Sequence, residues 1–175
     1  MARVFQYGSN MDEDRINSAV RLRGDAKCLF NAKTVDDYEL DFTVWSSDNE
    51  CATADIVRKE GSKVWGVVYD IPDYLVERVS AKQRGRKSLD GIEGEGKNYQ
   101  RIRIKVENQS GEIIEATTYE AISKHKGLKT SCAYAEHIIK GLQEHHIPKD
   151  YVEKTMRKII ENNPCLRTHF EETDL

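Results

Sequence analysis

Val64-Trp65-Gly66-Val67-Val68-Tyr69 is an almost wholly apolar run, and Asp70-Ile71-Pro72-Asp73 closes it. A short apolar run that ends in a turn signal suits a strand buried on both faces, so this stretch predicts the central strand of a sheet. The proline then opens a helix. Further on, Arg101–Val106 alternates, with Ile102, Ile104 and Val106 on one face and Arg101, Arg103 and Lys105 on the other. Ser110-Gly111 marks a turn, and Ile113–Tyr119 reads as the returning antiparallel partner. On the N-terminal side, residues 38–44 and 54–58 read as strands. Val4 and Phe5 lead a short buried strand ending at Tyr7. Asp12 is placed to cap a helix whose face carries Ile16, Ala19, Val20 and Arg23. After residue 130 the apolar period changes from strand-like to helical. Ser131 caps a helix with Ala135, Ile138, Ile139 and Leu142 inward. Pro148 separates it from a second, with Val152, Met156, Ile159 and Ile160 inward, and Pro164 ends that one. Residues 168–175 are polar and expected to fray. Six or so strands before two helices predict an α+β fold with a curled, barrel-like sheet. With no linker in view, residues 1–175 are read as one domain.

Composition narrows the function classes. Hydrophobic residues make up 38% of the 175 and charged residues 33%, which suits a globular chain with a real core. The net charge of −3 argues against a nucleic-acid partner. No apolar run reaches membrane-spanning length, and the first residues lack a signal-peptide pattern, so a cytoplasmic location is expected. Cys28, Cys51, Cys132 and Cys165 form neither a CxxC pair nor a zinc-like cluster; reduced thiols and no metal are the expectation.

Two motifs carry chemistry. Gln6-Tyr7-Gly8-Ser9-Asn10 places a glycine and two small polar residues where a buried strand passes into a helix. Backbone N–H groups there are suited to a developing negative charge on a carbonyl oxygen. Asp90-Gly91-Ile92-Glu93-Gly94 puts a carboxylate in a glycine-rich turn, where it can serve as general acid/base. An anion hole with a lone carboxylate suggests acyl transfer without a protein nucleophile. Glycine at position 8 is expected to supply a positive φ.

These segments, in order, resemble the gamma-glutamylcyclotransferase-like family. Tyr7-Gly8-Ser9-Asn10-Met11 resembles its YGSN-Leu loop, with Met in the place of Leu. Glu39-Leu40-Asp41-Phe42 and Ala52-Thr53-Ala54-Asp55-Ile56 resemble its next strands, and Val64–Tyr69 its central one. Leu89–Gly94 followed by Tyr99 resembles the segment that bears its catalytic glutamate. Ser131 to Tyr134, Gly141 and Ile147-Pro148-Lys149-Asp150-Tyr151 resemble its C-terminal helices. The resemblance implies a small mixed β-barrel of about six strands flanked by helices. It implies an enzyme in which the α-amine of a γ-glutamyl group attacks its own γ-carbonyl, giving 5-oxoproline and a free amine or amino acid. Glu93 is then the catalytic residue, with Tyr7, Gly8, Ser9, Asn10, Met11 and Tyr119 lining the substrate site. No cofactor is implied, the partner is a small γ-glutamyl molecule, and the oligomeric state, a homodimer included, stays open.

Some features sit apart from that pattern. Glu95 is the decoy for Glu93. The basic run Lys82-Gln83-Arg84-Gly85-Arg86-Lys87 lies in a stretch longer than the family pattern, beside the expected site, where it could gate the pocket or simply be solvated. Cys132, near a helix N-terminus and followed by His137, with His125 before it, offers a rival Cys/His amidase. A binding domain that has lost turnover is a further alternative. His145-His146 reads as a solvated helix end.

Overall fold

The structure, a computed structural model, describes residues 1–171; residues 172–175, part of the expected frayed end, lie outside the described residues. The strands are β1 (Ala2–Gln6), β2 (Lys27–Thr34), β3 (Tyr38–Ser46), β4 (Cys51–Arg58), β5 (Trp65–Ile71), β6 (Tyr99–Asn108) and β7 (Ile113–Ala121). The helices are α1 (Glu13–Ile16), α2 (Arg78–Gln83), α3 (Leu89–Glu93), α4 (Cys132–Glu144), α5 (Lys149–Asn162) and α6 (Arg167–Glu171), joined by short 3-10 turns.

Five strands close into a barrel in the order β1-β5-β2-β6-β7. The apolar run around Val67 is central, as its composition predicts, since β5 pairs antiparallel with β1 and with β2. A parallel contact between Val4 and Thr117 closes the ring and makes the barrel mixed. Strands β3 and β4 form a separate hairpin sheet. The α+β barrel flanked by helices is therefore the observed architecture. Phe5, Tyr69, Ile71, Leu89, Ile138 and Leu142 are fully buried in its core. Each such side chain contributes roughly 1.5–3 kcal/mol over leaving it in water.

Several local expectations are corrected. Strand β2 carried no alternation signal, because its register shifts between Cys28 and Phe30 and scrambles the two faces. The helix after Asp12 is one turn long: Asp12 accepts from the amides of Asp14 and Arg15, but the chain then turns through residues 17–24. Ile16 and Leu22 are buried there, whereas Val20 is exposed. The end of the chain does not fray from residue 168, since Phe170 on α6 is buried against the core. Glu93 closes a short helix rather than sitting in a turn. Ser88 accepts from the Gly91 amide to start α3, and Gly94, at φ 71°, ends it in the left-handed conformation that favours glycine.

One contact sets the site's floor. A Cβ on Gly141 of α4 would lie 2.5 Å from the Met11 Cβ and 2.7 Å from its carbonyl carbon. Only a bare glycine lets α4 rest directly on the turn that follows β1. No helix among the described residues is long and apolar enough to cross a membrane.

Candidate active site

The chain passes from β1 through Tyr7 and Gly8 into a 3-10 turn, Ser9–Met11. In such a turn the first amides, those of Ser9 and Asn10, have no acceptor within it. Gly8 is not there for a positive φ: its φ is −109°. It is there for space, because a Cβ would stand 3.1 Å from the Ala54 Cβ and 3.4 Å from the Tyr134 hydroxyl.

Helix α3 delivers Glu93 to this turn. Asn10 Nδ2 donates to Glu93 Oε1 at 2.8 Å, and Gln6 Nε2 donates to the same oxygen at 3.1 Å. The helix is anchored behind Glu93. Arg78 donates to the carbonyls of Asp90 and Glu95, and Asp90 accepts from the Tyr119 hydroxyl at 2.7 Å and from Arg101 at 3.1 Å. Burial raises the Glu93 carboxyl above the ordinary carboxylate range. The hydrogen bond from Asn10, the charge of Arg21 and the bond from Gln6 oppose that rise without cancelling it.

Two cavities have Glu93 in their lining. The inner one, about 30 Å³, is lined by Gln6, Tyr7, Gly8, Ser9, Asn10, Ala54, Glu93, Tyr99, Thr118, Tyr119 and Tyr134. Four tyrosines and the turn thus enclose one carboxylate. The Tyr7 hydroxyl donates to the Tyr119 carbonyl at 2.5 Å, and the Tyr99 hydroxyl donates to the Ala54 carbonyl at 2.7 Å. Tyr134 accepts from the Ala54 amide at 3.1 Å. Burial raises the pKa of all four phenols, which stay neutral. The outer cavity, about 290 Å³, shares Ser9, Asn10, Glu93, Tyr99 and Tyr134 and opens past Arg15, Arg21 and Asn49.

The structure thus brings Tyr7, Gly8, Ser9, Asn10, Tyr119 and Glu93 together around one chamber. Met11 is not in it: the side chain is buried under α4, and its carbonyl accepts from the Tyr69 hydroxyl at 2.8 Å. Glu95, the decoy, lines neither cavity. Sequence reasoning missed Gln6 as a partner of Glu93, although it opens the quoted motif. It also missed Tyr134, Arg15 and Arg21, which come from separate elements.

The Cys132–His137 pair is not formed, and although Cys132 lies within 4.8 Å of a His169 nitrogen and a Glu136 oxygen, that group is away from the chamber. His137 Nδ1 lies 2.6 Å from Asp12, and Cys132 lines neither cavity. Burial and Glu136 raise the Cys132 thiol, opposite to what a nucleophile needs. His145 is not a solvated end either. Its Nε2 lies 2.9 Å from the Met11 carbonyl and 3.2 Å from the Tyr69 hydroxyl. The basic run lines neither cavity at Arg84 or Arg86. Arg84 stacks on Tyr74, and Arg86 donates to the Leu22 carbonyl at 2.7 Å and to Asp25 at 2.6 Å.

Comparison with known proteins identifies the family and the fold. The sequence model of the AIG2-like family matches residues 63–155, and the chain belongs to that family. Among solved structures, the human uncharacterized protein loc79017 is 28% identical, with a TM-score of 0.74 over 88% of this chain and 85% of that one. A gamma-glutamyl cyclotransferase is 26% identical, with a TM-score of 0.72 over the same shares. YkqA from Bacillus subtilis, 24% identical with a TM-score of 0.71, shares the fold over 90% of this chain and 54% of its own. No curated protein sequence matches the chain.

Proposed function

We propose that this AIG2-like chain is a γ-glutamyl cyclotransferase-type enzyme that converts a γ-glutamyl amine or amino acid to 5-oxoproline and the free amine. The observation that carries the reading is Glu93. It is held at the wall of the tyrosine-lined chamber by Asn10 and Gln6 and has a carboxyl raised by burial. The likeness to a gamma-glutamyl cyclotransferase supports it.

The substrate supplies its own nucleophile. Its α-ammonium gives a proton to Glu93, and the freed nitrogen attacks the γ-carbonyl carbon. The carbonyl oxygen becomes an oxyanion facing the Gly8–Asn10 backbone, whose amides stabilise it. The nitrogen loses a second proton, the old amide C–N bond breaks, and the leaving nitrogen takes up both protons. Glu93 carries them across, so it has to be a base first and an acid afterwards. A carboxyl raised toward neutrality serves both roles better than one at its ordinary value. The four neutral tyrosines keep water from the carbonyl and leave Glu93 as the proton carrier.

The test is to incubate the protein with a panel of γ-glutamyl amino acids and γ-glutamyl amines and assay 5-oxoproline. Release from at least one member, lost in Glu93→Gln, supports the reading. Binding without release across the panel supports a ligand-binding domain instead.

A further inference from the structure

Four cations line the outer cavity, Arg15, Arg21, Arg78 and Lys97, against two acids, Asp48 and Glu93. Two of these cations are unusual. Arg15 donates to Ser9 Oγ at 3.1 Å and to Asn49 Oδ1 at 2.9 Å, and Arg21 donates to Asn10 Oδ1 at 3.1 Å. Among the described residues, neither guanidinium forms an ion pair with a carboxylate. A partly desolvated guanidinium with only neutral acceptors is an incomplete arrangement, because its remaining N–H groups match a planar, doubly accepting anion. Burial and the nearby Arg15 charge hold the Arg21 guanidinium below its ordinary value, which an added anion would relieve.

The arginines are also held in place. Asn10 bridges Arg21 and Glu93, accepting from one and donating to the other. Leu22, next to Arg21, is buried, and its carbonyl is clamped by Arg86 from the basic run. The run therefore reaches the site through the turn at residues 17–25 rather than by lining it.

The inner chamber has no cation in its lining and is too small for more than the reacting acyl group. The leaving nitrogen must depart toward the outer cavity, which shares Glu93 with the chamber. We infer that the outer cavity is a subsite for the leaving amine, that Arg21 with Arg15 binds a carboxylate on that amine, and that the substrate is a γ-glutamyl amino acid or peptide rather than a γ-glutamyl derivative of a neutral or cationic amine. This rests on the cyclotransferase reading of the same site. A cationic leaving amine would meet the two guanidiniums without compensation, so the site also discriminates by repulsion.

The test compares γ-glutamyl-alanine with γ-glutamyl-alaninamide, which differ only in the leaving group's charge. The wild-type kcat/KM should favour the acid by about tenfold to a hundredfold, the span of a hydrogen bond to a charged group. Arg21→Gln should collapse that ratio to within about threefold, and Arg21→Lys should restore much of it. A thermal melt checks folding; if Arg21→Gln does not fold, Arg15→Gln is read in the same way. A wild-type ratio near one overturns the inference. So does a ratio that survives both glutamine variants while both substrates slow equally, since the arginines would then hold the glutamyl group's own carboxylate. If neither compound yields 5-oxoproline, the cyclotransferase reading fails, and calorimetric binding of the same pair still decides. Tighter binding of the acid that is lost in Arg21→Gln supports the subsite, whereas equal binding, or none, overturns it.

Discussion

Replacing Glu93 by Gln keeps the shape of the side chain and keeps an oxygen to accept from Asn10 at 2.8 Å and Gln6 at 3.1 Å. It removes only the ability to take and return a proton. If Glu93 is the proton carrier, turnover should fall by about 10²–10⁴-fold, which is roughly 2.7–5.4 kcal/mol added to the barrier. The fold should not suffer. An unfolded Glu93 ionises near 4.5, and burial places the folded value above that. A raised carboxyl binds its proton more tightly in the folded state, so the wild type loses stability as pH rises from 4.5 through the folded value. Glu93→Gln should therefore melt at or above the wild-type temperature near neutrality, and this advantage should fade below pH 4.5. In the wild type, kcat/KM should decline on the acid side with a midpoint above 4.5, because the base must be ionised. Steady-state release of 5-oxoproline and melts across pH measure both effects. Near-normal turnover in a folded Glu93→Gln would refute the assignment. So would an equal loss in Glu95→Gln, whose side chain lines neither cavity.

Gly8→Val should cut activity far more than Ser9→Ala. A Cβ at Gly8 meets Ala54 and Tyr134 at 3.1 and 3.4 Å, whereas Ser9→Ala removes a hydroxyl that bonds Arg15 and Tyr134 without crowding the turn; assays of both folded variants rank them. Cys132→Ser should retain most activity, because the thiol lies outside both cavities, and abolished turnover would revive the cysteine mechanism. Gly141→Ala should destabilise by about 1–3 kcal/mol, since its Cβ would overlap Met11 at 2.5 Å, and denaturant titration reads the shift.

What the sequence determined by itself was local. The apolar run at Val67 and Val68 announced a strand paired on both sides, and the alternation of Ile104 and Val106 announced an edge between core and solvent. Ser131 announced a helix start, and its hydroxyl does accept from the Tyr134 amide. Each of these is written in the spacing of neighbours along the chain, where the physics has a short range. The pairing of Tyr7–Asn10 with Glu93 was legible as two motifs of fitting chemistry, but their contact spans 83 residues between Asn10 and Glu93. The tertiary structure alone decided the rest. The bulge in β2 hid that strand, because an extra residue exchanges the faces and erases alternation. Gly8 looked like a residue chosen for its backbone freedom, while in fact Ala54 and Tyr134, from remote elements, leave no room for a side chain. Arg15 and Arg21 belong to no motif that the sequence displays. Tertiary bonds place them at the cavity, those of Arg15 to Ser9 and Asn49, of Arg21 to Asn10 and of Arg86 to Leu22, and no spacing along the chain encodes them.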